Sequence, residues 1–143
     1  MELKKESMQI LKEKSRAKSQ ITFDEDFNVP DAKPDAGRLI QNKGRIIMDD
    51  VRLTDGKGIL TGNLQVDILY VGEERGIVSS LTAKLPFEET LNLKNIINGD
   101  KMCLKWEIED LTIRLIHSRK LNIKALVTFC VTVDKTFKEY RNR

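Results

Sequence analysis

Little in this chain of 143 residues is equipped for chemistry. There is one histidine, His117, so two imidazoles cannot share a metal or relay a proton. Its neighbour Ser118 is the nearest nucleophile, but adjacent residues rarely converge as a dyad, and no third group orients them. The two cysteines, Cys103 and Cys130, fall short of the four ligands of a structural zinc site. Both sit on the polar parity of their segments, so a disulfide is conceivable if those segments are neighbouring strands, but as thiols of an intracellular chain they are expected to be reduced. A phosphate-cradling glycine loop is missing, because Gly56 and Gly58 belong to a hairpin signal. Asp24-Glu25-Asp26 lacks the alternating ligands and closing glutamate of a calcium loop. Nothing singles out two carboxylates as acid and base. We therefore expect no catalytic residue, no metal site and no cofactor, and a protein that is not an enzyme.

Other shortages narrow the class further. No apolar run approaches the roughly 20 residues that cross a bilayer. The opening MELKKESMQILKEK has no apolar core of the kind a secretory signal needs. An intracellular location without membrane insertion is expected. Aromatic residues are few, and the positive charge lies at the ends. Residues 1–18 carry six Lys/Arg against three Glu, an excess equal to the net charge of +3 for the whole chain. Lys138, Arg141 and Arg143 make a basic tail. A nucleic-acid interface concentrates basic charge on a folded face with aromatics for stacking, so no nucleic-acid partner is expected.

What the chain does have is alternation. In Leu121–Val133, residues Leu121, Ile123, Ala125, Val127, Phe129, Val131 and Val133 share one parity, with Asn122, Lys124, Thr128 and Thr132 on the other. A period of two marks a strand with one buried face. Leu111–Leu115 alternates as well, and Ser118-Arg119-Lys120 separates the two runs, so Leu111–Val133 reads as the main hairpin. Arg45–Leu53 and Ile59–Val71 flank Asp55-Gly56, a second hairpin signal. Ile77–Leu93 alternates again after the turn Gly72–Gly76, and Pro86 assigns part of it to a sheet edge or bend. The apolar phase flips at Glu109-Asp110 and again at Asp49-Asp50. A β-bulge at each would keep both apolar sets inside.

The N-terminal part reads differently. Glu2–Lys18 has no Pro or Gly and a narrow apolar stripe of Leu3, Ile10 and Leu11, which predicts a short helix. Pro30 and Pro34 fix φ and hold Val29 and Lys33 extended, with Asp31 and Asp35 placed to start turns. Asp35–Ile40 reads as one short helical turn. Ile96–Asp100 is expected to be a loop. The predicted fold is all-β, an antiparallel β-sandwich or partly open barrel with a short N-terminal helix. Its parts are a basic helix or linker over 1–20, a β domain over 21–133 and a basic tail over 134–143.

The order FDEDFNVPDAKPDAGRLI, LQVDILYVGEE, LTAKLPFEETLNL and IHSRKLNIKALV resembles the SPOCS domain, found in spore-coat and spore-envelope proteins of endospore-forming Firmicutes. The residues that carry the likeness are Pro30, Asp31, Pro34, Asp35, Tyr70, Pro86, Phe87, Ser118, Arg119 and Lys120. His117 departs from the family, which usually has Asn there. The resemblance implies a non-enzymatic part in assembling the spore coat or envelope. Its partners would be other coat or envelope proteins and, through open strand edges, further copies as a homo-oligomer. It also implies synthesis in the mother-cell cytoplasm and assembly on the forespore surface. Asp35 and Arg119 are the opposite charges expected to pair, clamping the N-terminal segment to the main hairpin. The alternative is a glycan-binding β-sandwich. Against it, Trp106 and most phenylalanines lie on the buried parity and leave no flat aromatic platform.

Overall fold

The computed structural model describes residues 11–74, 76–93 and 101–136. Six strands follow in order: β1 (Leu11–Asn28), β2 (Ala36–Thr54), β3 (Lys57–Gly72), β4 (Val78–Asn92), β5 (Lys101–His117) and β6 (Lys120–Thr136). They form two three-stranded antiparallel sheets, ordered β1-β6-β5 and β2-β3-β4. The all-β expectation holds. At 15 to 19 residues the strands are about three times the usual length, so each sheet is two or three long hairpin arms rather than a fan of short ones.

Alternation places the core between the sheets. β3 supplies Leu60, Leu64, Val66, Ile68 and Tyr70, and β6 supplies Leu121 to Val133 on odd positions, all of them buried. These central strands are covered on both sides by neighbours, which is why their inward residues lose almost all contact with water. Phe87 of β4 joins the two layers. Its ring lies 5.3 Å from that of Phe129 and meets Phe23 edge-on at 6.2 Å. Ring pairs of this kind add about 0.5–1.5 kcal/mol beyond the area they bury. Where β1 passes β4, Ser19 donates its hydroxyl to the Glu89 carboxylate and bridges the two sheets.

Bulges and turns adjust this frame. The ladder of β5 with β6 shifts between Ile108 and Asp110, and that of β2 with β3 between Met48 and Asp50, at the two positions where the apolar phase flips. Gly56 turns the β2–β3 hairpin with φ of 75°, a conformation that costs other residues a clash with their own Cβ. In β3, a Cβ on Gly62 would stand 2.2 Å from the carbonyl oxygen of Ile47, so β2 can cross there only over a bare backbone. Pro86 lies opposite Asn63 on β4, which is the edge of its sheet.

Three expectations change. Residues 11–18 of the predicted helix Glu2–Lys18 are extended within β1, and residues 2–10 lie outside the described residues. The stripe that suggested a helix was narrow, and pairing with the long β6 outweighs the weak propensity of an isolated helix. Asp35–Ile40 is no helical turn: β2 starts at Ala36, where the chain pairs with Gly72. β6 continues through Thr136, past the expected start of the tail at 134, and residues 137–143 lie outside the described residues. The expected loop Ile96–Asp100 lies outside the described residues.

Candidate functional site

Two prolines shape the connection from β1 to β2. Pro30 and Pro34 each hold φ near −65°, and the Lys33 amide donates to the Pro30 carbonyl at 2.8 Å to close a turn between them. The loop is then tied to three other segments by its backbone. Val29 donates to the carbonyl of Arg119 and Ala36 to that of Ser118, both at 2.8 Å. Glu73, in the β3–β4 turn, donates to the carbonyl of Asp35 at 2.8 Å. The buried Tyr70 turns its hydroxyl to the Pro34 carbonyl, also at 2.8 Å.

Arg119 occupies the middle of this arrangement. From the tip of the β5–β6 hairpin its guanidinium reaches four acceptors. Nη1 donates to the Lys33 carbonyl at 2.7 Å and to the Asp35 carboxylate at 3.0 Å. Nη2 donates to the carbonyls of Pro30 at 2.9 Å and Val29 at 3.2 Å. Only a guanidinium carries enough donors in a fixed plane to serve so many acceptors at once. The expected Asp35–Arg119 pair exists, but three of the four acceptors are main-chain carbonyls. Both partners keep water contact, with a third of the Arg119 side chain and half of Asp35 accessible, so the ion pair itself contributes about 0–1 kcal/mol. The tip is set by His117, whose Nδ1 accepts the Arg119 amide at 3.1 Å.

The motif residues thus divide. Pro30, Pro34, Asp35, Tyr70, Ser118 and Arg119 converge on one clasp at one pole of the molecule. Asp31 is exposed beside it, and Lys120 follows the tip, opposite Asn28. Pro86 and Phe87 stand apart, one on the β4 edge and the other in the core. Sequence reading missed the contributions of Val29, Lys33 and Glu73, because a carbonyl or amide is common to every residue and leaves no signature. It also missed Asn122. Though on the polar parity, Asn122 is buried beneath Asp24 and Asp26, to which its amide donates at 3.0 Å each. Among the described residues, no three His, Cys, Asp or Glu are grouped to hold a metal ion.

The same pole exposes apolar side chains. Ile40, Leu69, Ile77, Val78 and Ile116 are among the exposed large apolar residues, with Ile77 and Val78 more than half open to water. Ile77 and Val78 leave the turn that Glu73 ties to Asp35. Ile40 and Ile116 are each the extra residue at a register shift; the shift takes Ile40 off the inward parity of Ile46 and Met48, whereas Ile116 is on the outward parity of Thr112 and Arg114. Exposed apolar groups side by side, as Leu69, Ile77 and Val78 are at the β3–β4 turn, mark interaction surfaces. The sixth, Trp106, corrects an expectation. It faces Phe129 in the ladder, yet 42% of it is exposed, because β5 is the outer strand of its sheet.

A family model described as SipL, SPOCS domain, matches residues 35–116. Neither the curated proteins nor the solved structures contain a match to the chain. The matched stretch runs from Asp35 through β2, β3, β4 and nearly all of β5, and is narrower than the expected 21–133. It includes Tyr70, Pro86 and Phe87, and leaves out Pro30, Pro34, Ser118, Arg119, β1 and β6.

Proposed function

The chain belongs to the SPOCS domain family, and from that premise we propose that it is a non-enzymatic docking domain for building the spore coat or envelope. The observation that carries this reading is the pole described above: a clasp that stiffens three segments, with exposed Leu69, Ile77 and Val78 at the β3–β4 turn that is tied to it. A rigid backbone under apolar side chains lowers the entropic cost of docking, which is what a protein-binding surface requires. The partners on this reading are coat or envelope proteins and other copies of the chain, met after synthesis in the mother-cell cytoplasm and retained at the forespore surface.

The test is a fluorescent fusion followed during sporulation, comparing the native chain with the double variant Ile77→Lys, Val78→Lys. The variant is expected to stay diffuse while its thermal midpoint moves by no more than a few degrees, since both side chains are already exposed. A variant that reaches the forespore surface as well as the native chain would overturn the reading. Light scattering behind size exclusion over a range of concentrations tests the self-association in it separately.

Glycan binding is supported by the exposure of Trp106 on the edge strand β5, where it borders a shallow hollow with Arg16, Lys18, Lys105, Glu107 and Glu109. A peptidoglycan pull-down with the native chain and with Trp106→Ala separates this reading from protein docking.

A further inference from the structure

The two sheets are built alike except for the source of one strand. In β2-β3-β4 the third strand follows the central one through a turn. In β5-β6 the corresponding place beside β6 is filled by β1, from the other end of the chain. β1 is tied to β6 along its length, from Leu11 opposite Thr136 to Asn28 opposite Lys120, and to its own β2 only through the clasp loop.

We infer that β1 is an exchangeable strand: it can leave its own β6 and complete the β5-β6 sheet of a second copy. This rests on the self-association included in the proposed function and specifies its joint. The hydrogen bonds of the loop locate the hinge. Val29 and Pro30 are held to Arg119 and would travel with β1. Lys33, Pro34, Asp35 and Ala36 are held to Arg119, Tyr70, Glu73 and Ser118 and would stay with the body. Only the bond from the Lys33 amide to the Pro30 carbonyl crosses between the two groups. Opening at Asp31-Ala32 therefore breaks that one bond. Every other bond of the clasp re-forms, with Val29 and Pro30 delivered to Arg119 by the incoming chain.

The core contacts of β1 re-form too. Phe23 would meet Phe87, and Ser19 would meet Glu89, of the receiving copy, and the amide of Asn122 would find the incoming Asp24 and Asp26. From Pro30 to Lys33 the opened chain spans about 10 Å, so exchanged copies would abut at their clasps. Short hinges of this kind favour exchange, and a handover that does not close on itself extends into a chain of copies. Intramolecular closure competes at an effective concentration of about a millimolar, so exchange belongs to crowded assemblies rather than dilute solution.

The register supplies a covalent reporter, because Lys18 lies directly opposite Cys130. The full chain carrying Lys18→Cys, with Cys103→Ser to remove the other thiol, is refolded at about millimolar concentration, where linkers of this length compete. Monomer and oligomer are separated by size exclusion, then oxidised. The expected result is an oligomer that runs as a covalent ladder on a non-reducing gel, while the monomer closes its bond internally. An oligomer whose bonds lie within single chains would overturn exchange and leave self-association standing. No oligomer at any concentration would overturn both. A second variant needs no crosslink: four Gly/Ser residues inserted between Asp31 and Ala32 should lower the oligomer fraction several-fold, and an unchanged fraction would overturn the hinge.

Discussion

Arg119 and Asp35, 84 residues apart in the chain, meet at 3.0 Å, yet the carboxylate is the least consequential of the four acceptors that the guanidinium serves. The other three are main-chain carbonyls of a loop with two prolines, and of these, among the described residues, only that of Pro30 has a second donor, the Lys33 amide at 2.8 Å. Replacing Arg119 with alanine leaves those carbonyls to water that reaches them only in part. We expect a loss of about 2–4 kcal/mol, read by urea denaturation. Asp35→Ala should cost less than about 1 kcal/mol, and the coupling in the double-mutant cycle should be equally small. Arg119→Lys should recover less than half of the loss, since an ammonium cannot span the loop. A coupling near the full cost of Arg119→Ala would show that the ion pair, not the carbonyls, holds the loop.

Gly62→Ala is expected to be the most damaging small substitution in the chain. The added methyl would overlap the Ile47 carbonyl at 2.2 Å and force β2 from β3 beside the register shift at Met48. Backbone cannot yield as a flexible side chain can, so the cost should exceed about 3 kcal/mol. Thermal unfolding would check it, and a loss under about 1 kcal/mol would mean that β2 moves freely there.

Phe87→Ala removes the ring that joins Phe23 to Phe129 across the two layers. The expected cost is about 3–5 kcal/mol, as for other buried aromatics. Pro86→Ala next to it should change stability by less than about 1 kcal/mol, because the side chain is exposed on an edge strand. The contrast, measured in the same denaturant series, would assign the motif pair a packing role carried by the phenylalanine.

Asn122→Asp places a third carboxylate against Asp24 and Asp26 in a position only 8% exposed. Two amide hydrogen bonds become repulsions, and stability near neutral pH should fall by about 3–5 kcal/mol. Urea denaturation at neutral pH checks the loss.

A fragment spanning residues 35–116, the stretch that matches the family model, should not fold alone. It ends one residue before β5 does and lacks β6, the central strand of that sheet. Circular dichroism with a urea titration would be expected to show no cooperative transition, whereas residues 11–136 should give one.

How much of this was legible beforehand follows from the kind of force involved. Alternation announced β3, β4 and β6, because a half-buried strand must repeat its apolar residues every second position. The bulges near Asp49 and Glu109 were legible for the same reason: where the apolar phase flips with no turn residue, one extra residue in the strand restores the buried face. The second half of β1 was legible in Ile21, Phe23 and Phe27, but its first half was not, since Leu11–Lys18 is mostly polar and owes its conformation to the ladder offered by β6, a partner more than a hundred residues away. The clasp was half legible. Opposite charges and prolines suggested that Asp35 meets Arg119, while the three carbonyls that outweigh Asp35 belong to the backbone. Trp106 was assigned the right parity and the wrong environment, because parity says which face a residue takes but not whether its strand lies at the centre or the margin.

The pairing of Leu11 with Thr136 has a mechanical consequence. A pull that separates Leu11 from Thr136 loads the rungs of the β1–β6 ladder singly, from that end inward, like a zipper drawn from its open end. Strands pulled that way part at far lower force than strands sheared along their length. Tension from anything attached at those ends would peel β1 toward Asn28 while the rest of the domain stays loaded only through β6. The clasp, at the far pole, would be the last catch to let go.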